Sequence, residues 1–246
     1  MQQFGLIGYP LSHSFSKGYF TEKFKKENIT DARYDIFPLE NIESFKTLCE
    51  QTPNLSGLNV TIPYKQQVIP FLDNLDEAAA KVGAVNTIKF VNGKKTGYNS
   101  DIYGFEMSLK PMLENFHDYA LILGTGGASK AVEYVLDKLN IPFQYVSRAK
   151  SANCTSYQEI DETLMSKAKI IINTSPVGMY PNIDNAPDIP YQFITDKHLL
   201  YDLVYNPEET LFLKKGKEQG ATVKNGLEML YLQAEKSWNI WTKEKY

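Results

Sequence analysis

Cysteine is scarce in this sequence, and no long apolar run occurs in its 246 residues. The two cysteines, Cys49 and Cys154, form no Cys-x-x-Cys pair and stand at no metal-ligand spacing with histidine. This scarcity favours a reduced, cytoplasmic setting without a structural metal. The longest apolar stretches, residues 120–123 and 170–172, are far shorter than the roughly 20 residues that a membrane span needs.

The charged residues are nearly balanced, with a net charge of −3, and form no basic stripe that could follow a phosphate backbone. Nucleic-acid binding as a main activity is therefore disfavoured. The first ten residues have no basic segment and reach Pro10 before an apolar segment develops, so we expect no signal peptide. Hydrophobic residues make up 43% of the chain, which is ordinary for a globular protein.

Short strand-like runs alternate with helical patterns, which predicts an α/β fold with mainly parallel sheets. Strands are predicted at residues 4–8, 33–37, 58–61, 87–91 and 95–98, and again at 119–123, 143–147, 169–173, 198–203 and 221–223. Helices are predicted at residues 16–28, 42–51, 63–71, 76–82, about 128–139 and 227–242. Pro63 suits a first helical position, because its missing N–H has no helical partner there.

The two series of elements predict two domains, with a break near residues 99–101. Residues 1–100 would form the first domain, and residues 101–225 a Rossmann-type domain of the kind that binds a dinucleotide. The final helix, within residues 226–246, is expected to pack back on the first domain.

A glycine loop follows the apolar strand at residues 119–123 and opens a helix with an apolar stripe. In dinucleotide-binding loops, the first glycine permits a tight turn and the second lets the backbone approach a pyrophosphate at the helix N-terminus. A small third residue allows close packing, and that position is Ser129 here. The predicted cofactor residues of the loop are Gly124, Thr125, Gly126, Gly127, Ala128 and Ser129. The alternative is a plain structural turn.

The end of the next strand favours NADP over NAD. An NAD site usually offers a carboxylate there for the ribose 2′-OH, whereas this chain offers Arg148 and Lys150. A guanidinium can pair with a 2′-phosphate through two hydrogen bonds and can stack on adenine. The alternative is that both cations belong to a solvated loop.

Four polar motifs stand where loops should follow strands, at residues 12–16, 59–65, 83–87 and 99–101. Because ligands bind outside the carboxyl ends of strands in such folds, these segments could converge on one site. Taken singly, each has an ordinary explanation. Ser14 or Ser16 could cap a helix, Asn86 could satisfy a turn, and Lys65 could be an exposed helical lysine.

Taken together, the motifs resemble the shikimate dehydrogenase family. Residues 8–16 read Gly-Tyr-Pro-Leu-Ser-His-Ser-Phe-Ser, with Lys17 where the family has proline. The motifs at 59–65, 83–87 and 99–101 match the next family signatures, with Ser100 where threonine is common, and the glycine loop also matches. Later matches lie at residues 173–179, 201–207 and 226–233, so the resemblance covers nearly the whole chain.

The resemblance implies that residues 1–100 form a substrate-binding catalytic domain, and it implies roles for individual residues. Ser14, Ser16 and Tyr205 would hold a substrate carboxylate, and the ring hydroxyls would be surrounded by Thr61, Lys65, Asn86, Asp101 and Gln233. Lys65 and Asp101 would be the catalytic pair, with Asp101 positioning Lys65. Arg148 would contact cofactor phosphate, with Leu203 and Gly226 near the nicotinamide. Ser147 and Ala149 replace the family's Asn and Thr at the 2′-phosphate, so NADP preference is expected to be weaker than usual.

The resemblance implies reversible reduction of 3-dehydroshikimate to shikimate by NADPH, in a monomer or homodimer. Sequence leaves open whether Lys65 or Asp101 accepts the proton during oxidation. An NAD-dependent quinate/shikimate dehydrogenase is the nearest alternative, and a folate-linked dehydrogenase would not need Ser14 and Ser16. A catalytically silent nucleotide sensor would keep the glycine loop and lose groups such as Lys65, which is present.

Overall fold

The computed structural model describes residues 1–11, 15–150 and 153–243, which form two compact units. Unit 1 contains the described residues of Met1–Ser100 and of Ala234–Tyr246, and unit 2 is Asp101–Gln233. Each unit is built around one six-stranded sheet with helices packed against it. The predicted α/β fold with mainly parallel sheets is confirmed.

Unit 1 is built on sheet A, whose strands lie in the order β2-β1-β3-β5-β6-β4. The strands are Gln2–Gly8 (β1), Ala32–Pro38 (β2), Leu55–Val60 (β3), Asn74–Leu75 (β4), Thr87–Val91 (β5) and Lys94–Tyr98 (β6). Strand β1 is parallel to β2 and β3, whereas β5 is antiparallel to β3 and β6. The start of β5, at Thr87, therefore lies beside the carboxyl ends of β3 and β6, where it pairs with Asn59 and Tyr98.

The helices of unit 1 place aromatic side chains against sheet A. They are Phe15–Lys26 (α1), Ser44–Gln51 (α2), Glu77–Val82 (α3) and, from Ala234 onward, Leu227–Thr242 (α8). Phe20 of α1 stacks on Tyr34 with 4.6 Å between ring centroids, and Trp241 of α8 lies 5.0 Å from Phe4. Trp241 also donates its Nε1–H to the Ile88 carbonyl at 3.0 Å, so the end of α8 closes this core.

The predicted helix over residues 63–71 is wrong. The chain forms turns through residues 62–68, with the Tyr64 N–H bonded to the Thr61 carbonyl at 2.9 Å, followed by a 3-10 helix over Ile69–Phe71. An α-helix here would need an N–H at Pro70, which proline lacks, and the proline ring would clash with the preceding turn. Pro63 therefore begins no helix, and Lys65 lies in a turn.

Unit 2 is built on sheet B, in which all paired strands are parallel and the order is β12-β11-β10-β7-β8-β9. The strands are Ala120–Leu123 (β7), Phe143–Ser147 (β8), Cys154–Ser156 (β9), Ile170–Asn173 (β10), Leu199–Asp202 (β11) and Thr222–Lys224 (β12). The strand order reverses between β7 and β10, which makes that crevice the expected ligand site.

The helices of unit 2 surround this sheet and bury its apolar faces. They are Ser100–Leu109 (α4, from Asp101 onward), Gly127–Lys138 (α5), Glu162–Lys167 (α6), Leu211–Glu218 (α7) and the first half of α8. Helices α4, α6 and α7 were not predicted, and neither were the short strands β4 and β9. Among the described residues, no helix has the length and apolarity that a membrane crossing requires.

Candidate active site and cofactor site

Three of the predicted polar motifs, at residues 59–65, 83–87 and 99–100, meet at one end of sheet A. Backbone hydrogen bonds hold their loops together: the Tyr9 N–H bonds to the Ile62 carbonyl at 3.1 Å, and the Val85 N–H bonds to the Lys65 carbonyl at 2.7 Å. The Asn86 N–H bonds to the Tyr98 carbonyl at 3.1 Å. Thr61, Lys65 and Asn86 therefore stand on adjoining loops at the carboxyl ends of β1, β3 and β6.

Asn86 is held more tightly than a turn residue requires. It is 3% exposed, and its Oδ1 accepts hydrogen bonds from the Ser100 N–H at 2.7 Å and the Thr87 hydroxyl at 3.0 Å. Lys65 and Thr61 are half-buried. Here a lysine, a hydroxyl and a fixed amide line one end of a sheet, which suits a small polyhydroxylated ligand.

Ser16 is half-buried in the first turn of α1, and its hydroxyl hydrogen-bonds with the hydroxyl of Tyr34. Burial raises the pKa of Tyr34, and the hydrogen bond with Ser16 lowers it. Ser14, the other serine predicted to hold a carboxylate, lies outside the described residues, as do Ser12 and His13.

Asp101 does not lie on a loop, as predicted, but in the first turn of α4. Gly104, one turn later, brings α4 close to α8: a Cβ at Gly104 would lie 2.6 Å from the Met229 carbonyl and 3.2 Å from the Gln233 Cβ. Residues three apart share a helix face, so Asp101 and Gln233 lie on facing surfaces of α4 and α8 within unit 2. Tyr205, also in unit 2, is 39% exposed in the segment after β11.

The glycine loop follows β7 at the crevice where the order of strands reverses. Gly124 has φ +107°, which only glycine adopts readily, and a Cβ there would lie 3.0 Å from the Thr174 Oγ1. At Gly126 and Gly127, an added Cβ would meet nothing within 4 Å, so the helix N-terminus faces open space. Ser129 fits as the third small residue because it is fully buried and donates its hydroxyl to the Gly126 carbonyl at 2.6 Å.

That open space is a pocket of about 610 Å³ within unit 2. It is lined on the glycine side by Gly124, Thr125 and Gly126, and on the far side by Ser147, Arg148, Tyr157, Gln158, Thr174, Ser175, Pro176, Val177, Ala186, Pro187 and Asp188. Helix α5 carries no acidic residue in its first turn and no side-chain cap, which leaves its N-terminus suited to an anion. The residues present therefore fit a dinucleotide pyrophosphate.

The cations after β8 are not equivalent. Arg148 lines the pocket, whereas the Lys150 Nζ forms an ion pair with Glu159, whose pKa falls to about 2 because of that hydrogen bond. The Ser147 hydroxyl donates to the Ala149 carbonyl and is likewise engaged. In the described part of this loop, Arg148 is the cation that lines the pocket.

Thr174 lines the pocket but was not predicted as a site residue from the sequence. It directly follows β10, and its hydroxyl donates to the Leu123 carbonyl at 2.9 Å, which joins the loops after β7 and β10. Its place just beyond the carboxyl end of a strand at the switch point is the signal that could have identified it.

Behind the pocket, Asp202 is fully buried at the end of β11. It accepts hydrogen bonds from the Thr210 hydroxyl at 2.6 Å, the Val204 N–H at 3.0 Å and the Asn173 amide at 3.0 Å. Burial raises the pKa of Asp202 to about 6, although these hydrogen bonds oppose the shift.

The two residues predicted near the nicotinamide, Leu203 after β11 and Gly226 after β12, lie against each other. Gly226 bonds its N–H to the Val204 carbonyl at 3.1 Å, and a Cβ there would lie 2.1 Å from the Leu203 carbonyl oxygen. Only glycine fits this close approach. The parallel sheet, the glycine loop and the open helix N-terminus together define a dinucleotide-binding protein of the Rossmann type.

Comparisons with known proteins identify the family. A family model described as the shikimate dehydrogenase substrate binding domain matches residues 6–88. A shikimate dehydrogenase (NADP(+)) of Clostridium beijerinckii is 42% identical, with 98% of this chain and 92% of that protein covered. The shikimate 5-dehydrogenase structure from Thermus thermophilus, in complex with NADP(H) and shikimate, matches with a TM-score of 0.87 at 26% identity, covering 98% of this chain and 94% of that one.

A quinate dehydrogenase structure from Corynebacterium glutamicum, in complex with NAD, matches with a TM-score of 0.86 at 25% identity, covering 98% of this chain and 93% of that one. Sequence identity over nearly the full length of both chains decides the assignment. The chain belongs to the shikimate dehydrogenase family.

Proposed function

We propose that this protein catalyses the reversible, NADPH-dependent reduction of 3-dehydroshikimate to shikimate, a step in the biosynthesis of chorismate and the aromatic amino acids. The observation that carries the proposal is the meeting of the loops of Thr61, Lys65 and Asn86 at one end of sheet A. The hydroxyl, ammonium and amide that these residues offer match the ring hydroxyls and the ketone of this substrate.

Lys65 is the proposed proton donor. Negative charge grows on the ketone oxygen as hydride reaches its carbon, and the Lys65 ammonium stabilises that charge and gives the oxygen its proton. Thr61 and Asn86 orient the ring hydroxyls, and Ser16, with Ser14, binds the carboxylate. The partnership of Asp101 with Lys65 and the substrate contacts of Tyr205 and Gln233 stay predictions from the sequence.

Bound NADP(H) supplies the hydride chemistry. We propose that main-chain N–H groups from Gly124 to Ser129 hold its pyrophosphate and that Arg148 pairs with its 2′-phosphate. Leu203 and Gly226 would border the nicotinamide.

The test is to follow NADPH absorbance as the purified protein is supplied with shikimate and NADP⁺. Turnover is expected, and a sample that forms no NADPH would overturn the proposal. Quinate and NAD⁺ complete a two-by-two comparison of substrates and cofactors. Faster turnover of quinate with NAD⁺ would instead favour the NAD-dependent quinate/shikimate dehydrogenase, a candidate against which Arg148 in the pocket argues.

We also propose that the protein is cytoplasmic and works as a monomer or homodimer. Both described cysteines are free thiols, which supports a reducing compartment. Sedimentation equilibrium distinguishes monomer from dimer, and fractionation of the source cells tests the compartment.

A further inference from the structure

Five polar side chains form a buried cluster inside unit 1, which we call the Asn86 cluster. Its members are Asn59, Asn86, Thr87, Ser100 and Ser237. Three of these residues, Thr87, Ser100 and Ser237, are fully buried, and Ser237 comes from α8, far along the chain from the others. Buried hydroxyls of this kind are retained only with hydrogen-bond partners, so the contacts of Ser237 show what it supports.

Ser237 lies at the centre of the cluster. Its Oγ accepts a hydrogen bond from the Asn59 Nδ2 at 3.0 Å, and lies 2.8 Å from the Thr87 Oγ1 and 3.0 Å from the Ser100 Oγ. Those two hydroxyls in turn reach the Asn86 Oδ1, at 3.0 and 3.2 Å. Ser237 is therefore one hydrogen bond removed from Asn86.

The number of hydroxyl protons limits which groups can donate in these hydrogen bonds. A hydroxyl carries a single proton, so when Thr87 and Ser100 both donate to Asn86, neither donates to Ser237, and the one Ser237 proton can reach at most one of them. With the Ser100 N–H, the Asn86 Oδ1 then accepts three hydrogen bonds. The amide cannot flip without turning its NH₂ group against these donors.

The other end of that amide is left for a ligand. The Asn86 Nδ2 makes no hydrogen bond to any residue in the described part of the chain, whereas Asn59 is bonded through both its amide oxygen and its amide nitrogen. We infer that Ser237 is a positioning residue, which fixes the Asn86 amide with its NH₂ group toward a substrate hydroxyl. The inference rests on the proposed function in assigning Asn86 to the substrate.

The kinetic test is Ser237→Ala, which removes one hydroxyl and little volume. We expect the KM for shikimate to rise about fivefold to tenfold, as for the loss of one well-placed hydrogen bond. The kcat and the KM for NADP⁺ should stay close to wild type. The matched control is Ser108→Ala, since Ser108 is a buried helical serine whose hydroxyl bonds to Tyr201 at 2.6 Å in unit 2.

A double-mutant cycle separates positioning from general loosening. In an Asn86→Ala background, Ser237→Ala should change the KM for shikimate no further. A rise as large as in the wild-type background, or an equal rise in Ser108→Ala, would overturn the inference.

A measurement that needs no turnover tests the positioning role of Ser237 independently of the proposed function. The side-chain NH₂ resonances of Asn86, assigned by their loss in Asn86→Ala, should shift or broaden in Ser237→Ala and stay unchanged in Ser108→Ala. Unchanged resonances in Ser237→Ala would sink the positioning role even if shikimate is turned over. A wild type inactive on shikimate would sink the proposed function, while the resonances still decide the role of Ser237.

Discussion

Two ionisable side chains, Lys65 and Asp202, lie in contrasting surroundings. Lys65 is half-buried in a turn at the end of sheet A, on the loops proposed to meet the substrate. Asp202 is fully enclosed and has three hydrogen-bond donors around its carboxylate. The first should matter for catalysis, and the second for how stability depends on pH.

Replacing Lys65 with alanine should lower kcat about 10²-fold to 10⁴-fold, because the growing charge on the ketone oxygen loses its proton donor. The KM for shikimate should change little, since the other contacts remain. Initial rates over a range of shikimate concentrations give both constants. Lys81→Ala, which removes a helical lysine paired with Glu77, is the control. A Lys65→Ala enzyme with near-normal kcat would exclude Lys65 from the chemistry.

Asp202→Asn should change the pH dependence of stability. The carboxyl has a pKa of about 6 in the fold and about 3.9 in an unfolded chain, so the folded state binds more protons between these values. Wild-type stability should therefore fall, relative to Asp202→Asn, by on the order of 2 kcal/mol as the pH rises from about 4 to about 7.

Urea unfolding of both proteins at several pH values measures this difference. Any effect of a substitution on stability that does not depend on pH leaves the slope of unfolding free energy against pH unchanged. Asp184→Asn, at an exposed carboxylate, should keep the wild-type slope. Parallel curves for wild type and Asp202→Asn would contradict a raised pKa at Asp202.

At the scale of elements, the two cations in the segment after β8 have different contacts: Arg148 lines the pocket, whereas Lys150 pairs with Glu159. Arg148→Ala should raise the KM for NADP⁺ about tenfold to a hundredfold, as expected for losing charge-assisted hydrogen bonds to a phosphate. The KM for NAD⁺ should stay nearly constant, because NAD⁺ lacks the 2′-phosphate. Lys150→Ala is the matched control, since its Nζ pairs with Glu159. Equal effects of the two variants, or equal effects on both cofactors, would contradict the assignment.

The elements also show what could be predicted from the sequence. Helix α8 was predicted with its observed bounds because its long periodic run of apolar residues indicates a buried face directly, and strand β5 was predicted from a short run of β-branched and aromatic residues. Helix α4 was missed because its buried face includes Gly104 and Ser108, which pack against Gln233 and bond to Tyr201. These two small residues interrupt the apolar positions Ile102, Phe105 and Leu109, which are buried at helical spacing.

The functional site also has a part that the sequence predicted and a part that only the structure shows. The meeting of the polar loops follows from strand ends, which a sequence indicates, whereas the roles of Lys65 and Asn86 came from the resemblance to a known family. The bonds that hold Asn86 could not be predicted, since a lone serine on a helix, such as Ser237, gives no sign of what it faces. The pocket position of Thr174 depended on a strand order that only the fold provides.

At the scale of the whole molecule, unit 1 is built from two stretches of chain that are distant in sequence. Gly57 in β3 and Trp241 in α8 are in contact: a Cβ at Gly57 would lie 2.3 Å from the Trp241 Nε1. Glycine at this position allows the final helix to lie directly on the sheet.

Gly57→Ala should destabilise unit 1 by about 1–3 kcal/mol, because the added methyl group overfills a packed core. Tryptophan fluorescence reports on this unit, since both tryptophans of the chain, Trp238 and Trp241, lie in the part of α8 that belongs to it. Gly18→Ala is the matched control, where nothing lies within 4 Å of the added Cβ and a helical alanine should be neutral or stabilising. Equal unfolding midpoints for the two variants would contradict the packing role of Gly57.

The two-stretch construction of unit 1 also sets an order of events during synthesis. Residues 101–233 leave the ribosome before Trp241 does, so sheet B has its own residues available while sheet A still lacks the helix that covers Phe4 and Gly57. Nascent domains usually fold from the N-terminus onward. Here we expect the first hundred residues to complete their core only after translation delivers the end of α8, which covers their aromatic face.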